Sequence, residues 1–152
     1  MTADIRILGR DELLLLESVA PDVFDDPIDL PATRAFLADP RHHLAVVIDD
    51  SVVVGFASAV HYVHPDKARP ELWINEVGVA PAHQGCGNGK ALLRALFALG
   101  RELGCSEAWV LTERTNGPAM RLYALIGGEE DPDDTVMFSF SLDGAERSKT
   151  GG

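Results

Sequence analysis

Val79-Ala80-Pro81-Ala82-His83-Gln84-Gly85-Cys86-Gly87-Asn88-Gly89-Lys90-Ala91-Leu92-Leu93 decides the reading of this chain. An apolar run leads into three glycines at alternate positions, and an amphipathic run follows at once. Glycines leave the backbone bare, and the first N–H groups of a helix have no intrahelical partner. With the helix dipole behind them, such groups form an anion site. Gly85, Cys86, Gly87, Asn88 and Gly89 are the expected phosphate contacts, and Lys90 adds a positive charge. A side chain at Gly87 or Gly89 would come between those donors and a phosphate. Two common phosphate loops do not fit. G-x-x-x-x-G-K-S/T fails because Gln84 stands where its first glycine belongs and Ala91 follows Lys90. G-x-G-x-x-G fails because the glycines here run G-x-G-x-G.

Working outward, the helix that opens near Gly87 carries Ala91, Leu92, Ala95, Leu96, Leu99 and Leu103 on one face. Gly104 suits its C-cap. Upstream, His43–Ile48 and Val52–Tyr62 read as strands joined by Asp49-Asp50-Ser51, a hairpin signal. Val63–Pro70 reads as a looser turn and Leu72–Val79 as a third strand. The N-terminal part reads as a strand at Ile5–Leu8, a helix at Arg10–Val19 and a short helix at Ala32–Ala38 opened by Pro31. Downstream, Glu107–Leu111 is a strand, Pro118–Ile126 a helix closed by Gly127-Gly128, and Val136–Leu142 an alternating last strand. The order β-α-α-β-β-β-α-β-α-β predicts an α/β fold, a mixed sheet with helices on its faces. Residues 1–142 form one expected domain, and 143–152 a small, polar, flexible tail.

Bulk composition narrows the function classes. The 152 residues are 46% hydrophobic and 24% charged, an ordinary globular balance. No apolar run reaches the roughly 20 residues of a membrane span, and Leu13–Leu16 has acidic flanks unlike a secretory leader. These features predict a cytoplasmic protein with no membrane partner. Cys86 and Cys105 make no C-x-x-C pair, so neither a disulfide framework nor a zinc site is expected. His61 and His64 fall in a strand and a turn, where their spacing does not make a metal pair. A formal charge of -11 argues against nucleic acid and suits a cationic substrate, although acidity often serves only solubility.

Gln84, Gly87 and Gly89, with Val79-x-Pro81 before and Leu92-Leu93 after, resemble the Q/R-x-x-G-x-G/A coenzyme A loop. That loop belongs to the GCN5-related N-acetyltransferase superfamily. Asn88 departs from the pattern, which has an apolar residue there. A second segment, Asn116, Ala119, Leu122, Tyr123 and Gly127, resembles the superfamily's N-x-x-A-x-x-L-Y-x-x-x-G. The resemblance spans roughly residues 4–142. It implies acetyl-CoA as cofactor, with no metal, and an acetyl transfer to an amine. It also implies that Val77 and Val79 pair with the pantetheine arm around a bulge at Gly78, and that Asn116 and Ala119 approach the coenzyme. A homodimer sharing the strand Val136–Phe140 is the matching expectation.

Such a transfer needs a base for the amine, a donor for the thioester oxygen and a proton for the leaving thiolate. Glu76 is the candidate base, a carboxylate in an apolar strand where burial would favour its neutral form. A structural salt bridge is the competing reading. Tyr123 is the candidate acid, against simple packing as the alternative.

Glu71–Val79 resembles the E-I-Y-I-Y-D-L-A-V segment of aminoglycoside 3-N-acetyltransferases, with Trp73 and Asn75 in place of its tyrosines. Asp25, Asp26 and Asp134, with Asp29, Glu129, Glu130, Asp131 and Asp133, are the carboxylates expected to hold acceptor ammonium groups alongside Glu76. Each is also readable as a solvated loop charge. The acceptor stays open between an aminoglycoside and a polyamine, small amine or protein lysine. A non-catalytic coenzyme-A-binding module is the reading from another class.

Overall fold

The computed structural model describes residues 3–131 and 134–144. The chain runs β1 (Asp4–Ile7), a 3-10 helical segment (Arg10–Glu17), α1 (Leu30–Ala38), β2 (His42–Asp49) and β3 (Val52–His64). Then follow β4 (Lys67–Val79), a short 3-10 turn (Pro81–His83), α2 (Asn88–Glu102), β5 (Ala108–Val110) and α3 (Gly117–Leu125). The strands form one sheet in the order β1-β2-β3-β4-β5. Neighbours are antiparallel except β4 and β5, which are parallel.

The β2–β3 hairpin closes at Asp49↔Val52 through Asp50 and Ser51, at φ 49° and 65°. Positive φ at both central residues matches the twist of paired strands. The looser turn expected at Val63–Pro70 is a correction. β3 runs to His64 and β4 begins at Lys67, with His64 opposite Lys67. The register shifts between Tyr62 and His64, so Pro70 sits in a bulge where its missing N–H breaks no ladder bond.

The helix expected at Arg10–Val19 is a 3-10 segment instead. Its four consecutive leucines make no helical stripe: Leu16 is buried while Leu14 is 73% exposed. α1 begins one residue before Pro31, and Asp29 Oδ1 caps it by accepting the Ala32 N–H at 2.9 Å.

α2 lies across the sheet face that carries Ala57, Ala59, Leu72 and Ile74, with Leu92, Leu93 and Leu96 buried against it. Full burial of each such leucine is worth about 1.5–3 kcal/mol. Gly100 lets the helix close on Leu72, whose Cδ2 would lie 3.2 Å from an added Cβ. α1 covers the opposite face, where Phe36 meets His42 at a ring distance of 5.1 Å.

The last expected strand is a third correction. Residues 136–142 join no ladder, and Val136, Phe138, Phe140 and Leu142 are 69–94% exposed. Among the described residues this apolar edge is left largely exposed by its own chain. Asp133 and most of the expected tail lie outside the described residues.

One packed pair carries a stability prediction. His43 Nε2 and His61 Nδ1 are 2.7 Å apart with stacked rings. Burial, then the His61 neighbour, lowers the His43 pKa from 6.5 to about 4. A depressed folded-state value means that protonation favours the unfolded chain. His43 therefore contributes its stability above pH 6.5, and that part is lost as pH falls toward 4. Melting curves at pH 7 and pH 5 should show a larger drop for the native chain than for His43→Gln. Equal drops would refute this.

Candidate active site

β4 and β5 pair only through Leu72↔Ala108, Trp73↔Trp109 and Ile74↔Val110. Beyond Ile74 the two strands part, and the β5-side edge of β4 from Asn75 to Val79 has no strand beside it. A cleft of about 910 Å³ opens there. Its walls are the end of β4, the glycine turn, the start of α2 and one side of α3. The cleft brings together both catalytic candidates, Asp25 and every sequence-predicted cofactor residue except Cys86.

The turn has the backbone geometry that an anion cradle requires. Gly85 and Gly87 adopt φ 75° and 83°, the left-handed region that glycine enters without strain. The first helical backbone bond runs from the Ala91 N–H to the Gly87 carbonyl at 3.0 Å. The N–H groups of Asn88, Gly89 and Lys90 precede it, so they are left for an outside acceptor.

Side chains brace this cradle. Gln84 Nε2 donates to the Val79 carbonyl at 2.9 Å, tying the turn to the strand. Asn88, where the family pattern has an apolar residue, donates from Nδ2 to the His83 carbonyl at 3.0 Å. His83 Nε2 meets Asp49 Oδ2 at 3.0 Å. Asn88 is thus a polar brace in place of an apolar plug. Losing one such bond costs about 1 kcal/mol. Asn88→Ala should therefore raise KM for acetyl-CoA about fivefold and leave kcat within twofold. Steady-state kinetics with varied acetyl-CoA checks this, and an unchanged KM would refute it.

Gly89 also has a packing reason. A Cβ there would stand 3.0 Å from Leu122 Cδ2, so this glycine lets α2 approach α3. That approach places α3 along the cleft. Asn116 caps α3 by accepting the Ala119 N–H at 3.2 Å, which spends its oxygen and leaves its amide N–H groups for a ligand. Tyr123 is half-buried, and burial raises its phenol pKa, holding it protonated at neutral pH.

Glu76 faces the cleft but is exposed, not buried among its apolar neighbours. The β3–β4 register explains this. Ser58 pairs with Glu76 and Ala59 with Ile74, so Asn75 is the extra residue of a bulge. The bulge turns Glu76 onto the face away from α2. It falls at Asn75, three residues before the expected position at Gly78.

Other expectations are corrected. Cys86 is exposed, with Sγ 3.5 Å from the Gln84 carbonyl, and does not line the cleft. Asp26 and Asp134 do not line it either. Asp29 is a helix cap, and Glu130 pairs with Arg114 at 3.1 Å. His64 meets Glu71, a buried carboxylate that Lys67 also approaches at 3.7 Å. Among the described residues no group of three His, Cys, Asp or Glu side chains could hold a metal.

The cleft also contains Asp22, Phe56, His83 and Arg121, which the sequence reading missed. Asp22 had a weak signal in the acidity of its loop. Phe56 had none, because a strand aromatic reads as core.

Residues 11–127 match the acetyltransferase (GNAT) family, and the chain belongs to it. The streptothricin acetyltransferase of Streptomyces lavendulae is 36% identical over 90 residues, 59% of this chain and 45% of its own. The mycothiol acetyltransferase of Pseudarthrobacter chlorophenolicus is 37% identical over 131 residues, 78% of this chain and 39% of its own. The chain thus spans less than half the length of these curated relatives.

Among solved structures, an aminoglycoside acetyltransferase from an uncultured soil metagenomic sample, in complex with sisomicin, superposes with a TM-score of 0.77 at 19% identity. That match covers 92% of this chain and 96% of the other. AAC(6')-Iy, in complex with a bisubstrate analogue of coenzyme A and acetylneamine, superposes at 0.76 with 22% identity, covering 93% and 99%. These likenesses establish the fold.

Proposed function

We propose that this chain transfers the acetyl group of acetyl-CoA to a primary amine of a cationic small molecule, an aminoglycoside acetylated at its 3-amino group. The observation that carries the reading is the single cleft joining the glycine cradle, Glu76 and Tyr123. The cradle and Lys90 hold the pyrophosphate of acetyl-CoA, which supplies the thioester. The free edge of β4 at Val77–Val79 binds its pantetheine arm as an added strand would, and a backbone N–H there polarises the thioester oxygen.

Glu76 takes a proton from the acceptor ammonium, and the freed amine attacks the thioester carbonyl. As the carbon–sulfur bond breaks, Tyr123 gives its proton to the departing thiolate, and the second proton shed by the attacking nitrogen as it becomes an amide restores the phenol. Asp22 and Asp25 at the cleft mouth draw in cationic acceptors. The resemblance of Glu71–Val79 supports the 3-amino position, and the sisomicin and acetylneamine ligands of the structural neighbours support an aminoglycoside. The reading places the enzyme in the cytoplasm, where acetyl-CoA is available.

A thiol-release assay over an amine panel tests it. Release with gentamicin-type acceptors is the expected result. Release only with polyamines or lysine peptides would move the acceptor class. Coenzyme A binding without release on any amine would leave only a binding module.

The homodimer belongs to the same reading. β5 is the outer strand, and Val136, Phe138, Phe140 and Leu142 form one apolar edge that its own chain leaves in water. The outer edge of β5 in a second copy is a matching acceptor for that strand. Sedimentation should give a dimer that Phe138→Asp with Phe140→Asp reduces to monomers. A native monomer would refute the pairing.

A further inference from the structure

Trp73 has no part in the cofactor machinery described above. Its position follows from the register. Ser58 and Val60 lie two apart on β3, so they point to the same face, and they pair with Glu76 and Trp73. Ala57 and Ala59 point the other way, into the core under α2. Glu76 and Trp73 therefore share the face away from α2. Their cross-strand partners are roughly 7 Å apart along β3, about the width of one six-membered sugar ring.

The indole is fixed and still open. Trp73 stacks on Trp109 with ring centroids 5.0 Å apart and 9° between planes. Trp109 is held in turn by its indole N–H donating to the Tyr62 hydroxyl at 2.6 Å. Trp73 nevertheless remains 36% exposed, and Ser58 and Val60 beside it are only half-buried. Two stacked tryptophans anchored by a tyrosine are costly to leave in water unless something covers them. Glu71, one row further along the strand, is already engaged by His64 and Lys67. Glu107 beside it is hydrogen-bonded to Glu71, so among the described residues of this face Glu76 is the carboxylate that lines the cleft.

We propose that Trp73, backed by Trp109, is the platform on which an amino-bearing saturated ring of the acceptor lies, with the ring's reactive amine at Glu76. The inference rests on the amine-acetyltransferase reading and narrows its acceptor to cyclic amino sugars over linear polyamines. The complementarity is one of charge and shape. An ammonium-bearing ring presents partly positive C–H and N–H groups to the negative face of an indole. A linear polyamine offers Glu76 the same charge but has no flat ring face to lay on the indole.

The test compares neamine and spermidine as acceptors for the native enzyme, Trp73→Leu and Trp73→Phe. Trp73→Leu should raise KM for neamine about tenfold, with KM for spermidine and for acetyl-CoA within twofold. Trp73→Phe should recover most of the loss. The unchanged acetyl-CoA KM reports that the variant is folded. A neamine KM within twofold of native in Trp73→Leu, or an equal rise for spermidine, would overturn the platform. If the native protein acetylates neither amine, the aminoglycoside reading of the acceptor fails by itself, and neamine titration by calorimetry into the coenzyme-A-loaded protein still decides the platform. Binding weakened about tenfold by Trp73→Leu supports it, and no neamine binding to the native protein overturns it.

Discussion

Tyr123→Phe should lower kcat about 100-fold and leave KM for acetyl-CoA within twofold. The phenol lines the cleft on α3 while Glu76 lines it from β4. Burial raises its pKa, so the proton needed by a departing thiolate is present throughout the neutral range. General acid catalysis by a positioned group is worth about 10²–10⁴-fold. The ring stays in place in the variant, because phenylalanine fills the same half-buried site and the helix keeps its Asn116 cap. Only the proton is lost.

Two further readouts separate this role from packing. The native enzyme should lose turnover only above the ordinary tyrosine range, since a raised pKa keeps the acid form at lower pH. That alkaline limb should vanish in Tyr123→Phe. An acyl donor with a more acidic thiol needs less help, so the variant's deficit should shrink with it. A variant within threefold of native turnover would remove Tyr123 from the chemistry and return it to packing.

How much of this was readable beforehand differs by element. The glycine turn was legible because its shape is carried by backbone, and only glycine provides bare backbone at φ 75° and 83°. α2 was legible because its apolar period survives one-sided burial at Leu92, Leu93, Leu96 and Gly100. The 3-10 segment was not, since Leu13–Leu16 offers four leucines and no period. The start of β4 was hidden by Pro70, which reads as a stop until the bulge that holds it is seen. Glu76 was found by chemistry and misjudged in environment, because sequence alternation assumes an unbroken strand. One extra residue at Asn75 changes which way the next side chain points. The acidic loops were the least legible part. Asp22, Asp25, Asp26 and Asp29 look alike in sequence, yet two line the cleft and one caps a helix. Their roles depend on where the loop crosses the sheet, and that crossing is set by a glycine far along the chain.

Gly78→Ala should destabilise the protein by about 1–3 kcal/mol, the usual cost of forcing an atom into a filled space. A Cβ at Gly78 would stand 2.4 Å from the Val23 carbonyl oxygen and 2.8 Å from the Phe56 ring. The first of these is backbone and cannot swing aside. Phe56 is itself held by stacking on Phe24 at 3.9 Å, so the second contact has little room to give. At Gly55 the nearest atoms lie at 3.3 Å and 3.4 Å, which makes Gly55→Ala the milder control. Thermal melts should place Gly78→Ala roughly 2–12 °C below native, with Gly55→Ala closer to native.

The kinetic consequence follows from what Val23 belongs to. Val23 lies between the cleft residues Asp22 and Asp25, and pushing its carbonyl outward lifts that whole loop off β4. KM for a polycationic acceptor should then rise more than KM for acetyl-CoA, because the pyrophosphate cradle lies outside the displaced segment. The opposite order, with acetyl-CoA more affected, would mean that the bare edge at Gly78 serves the pantetheine arm first. In that case the close approach of the acidic loop is only a packing consequence. The glycine that the sequence marked as a bulge beside the cofactor is, in the structure, where the acidic loop and the free edge of β4 meet in the cleft. These paired Michaelis constants separate its two duties.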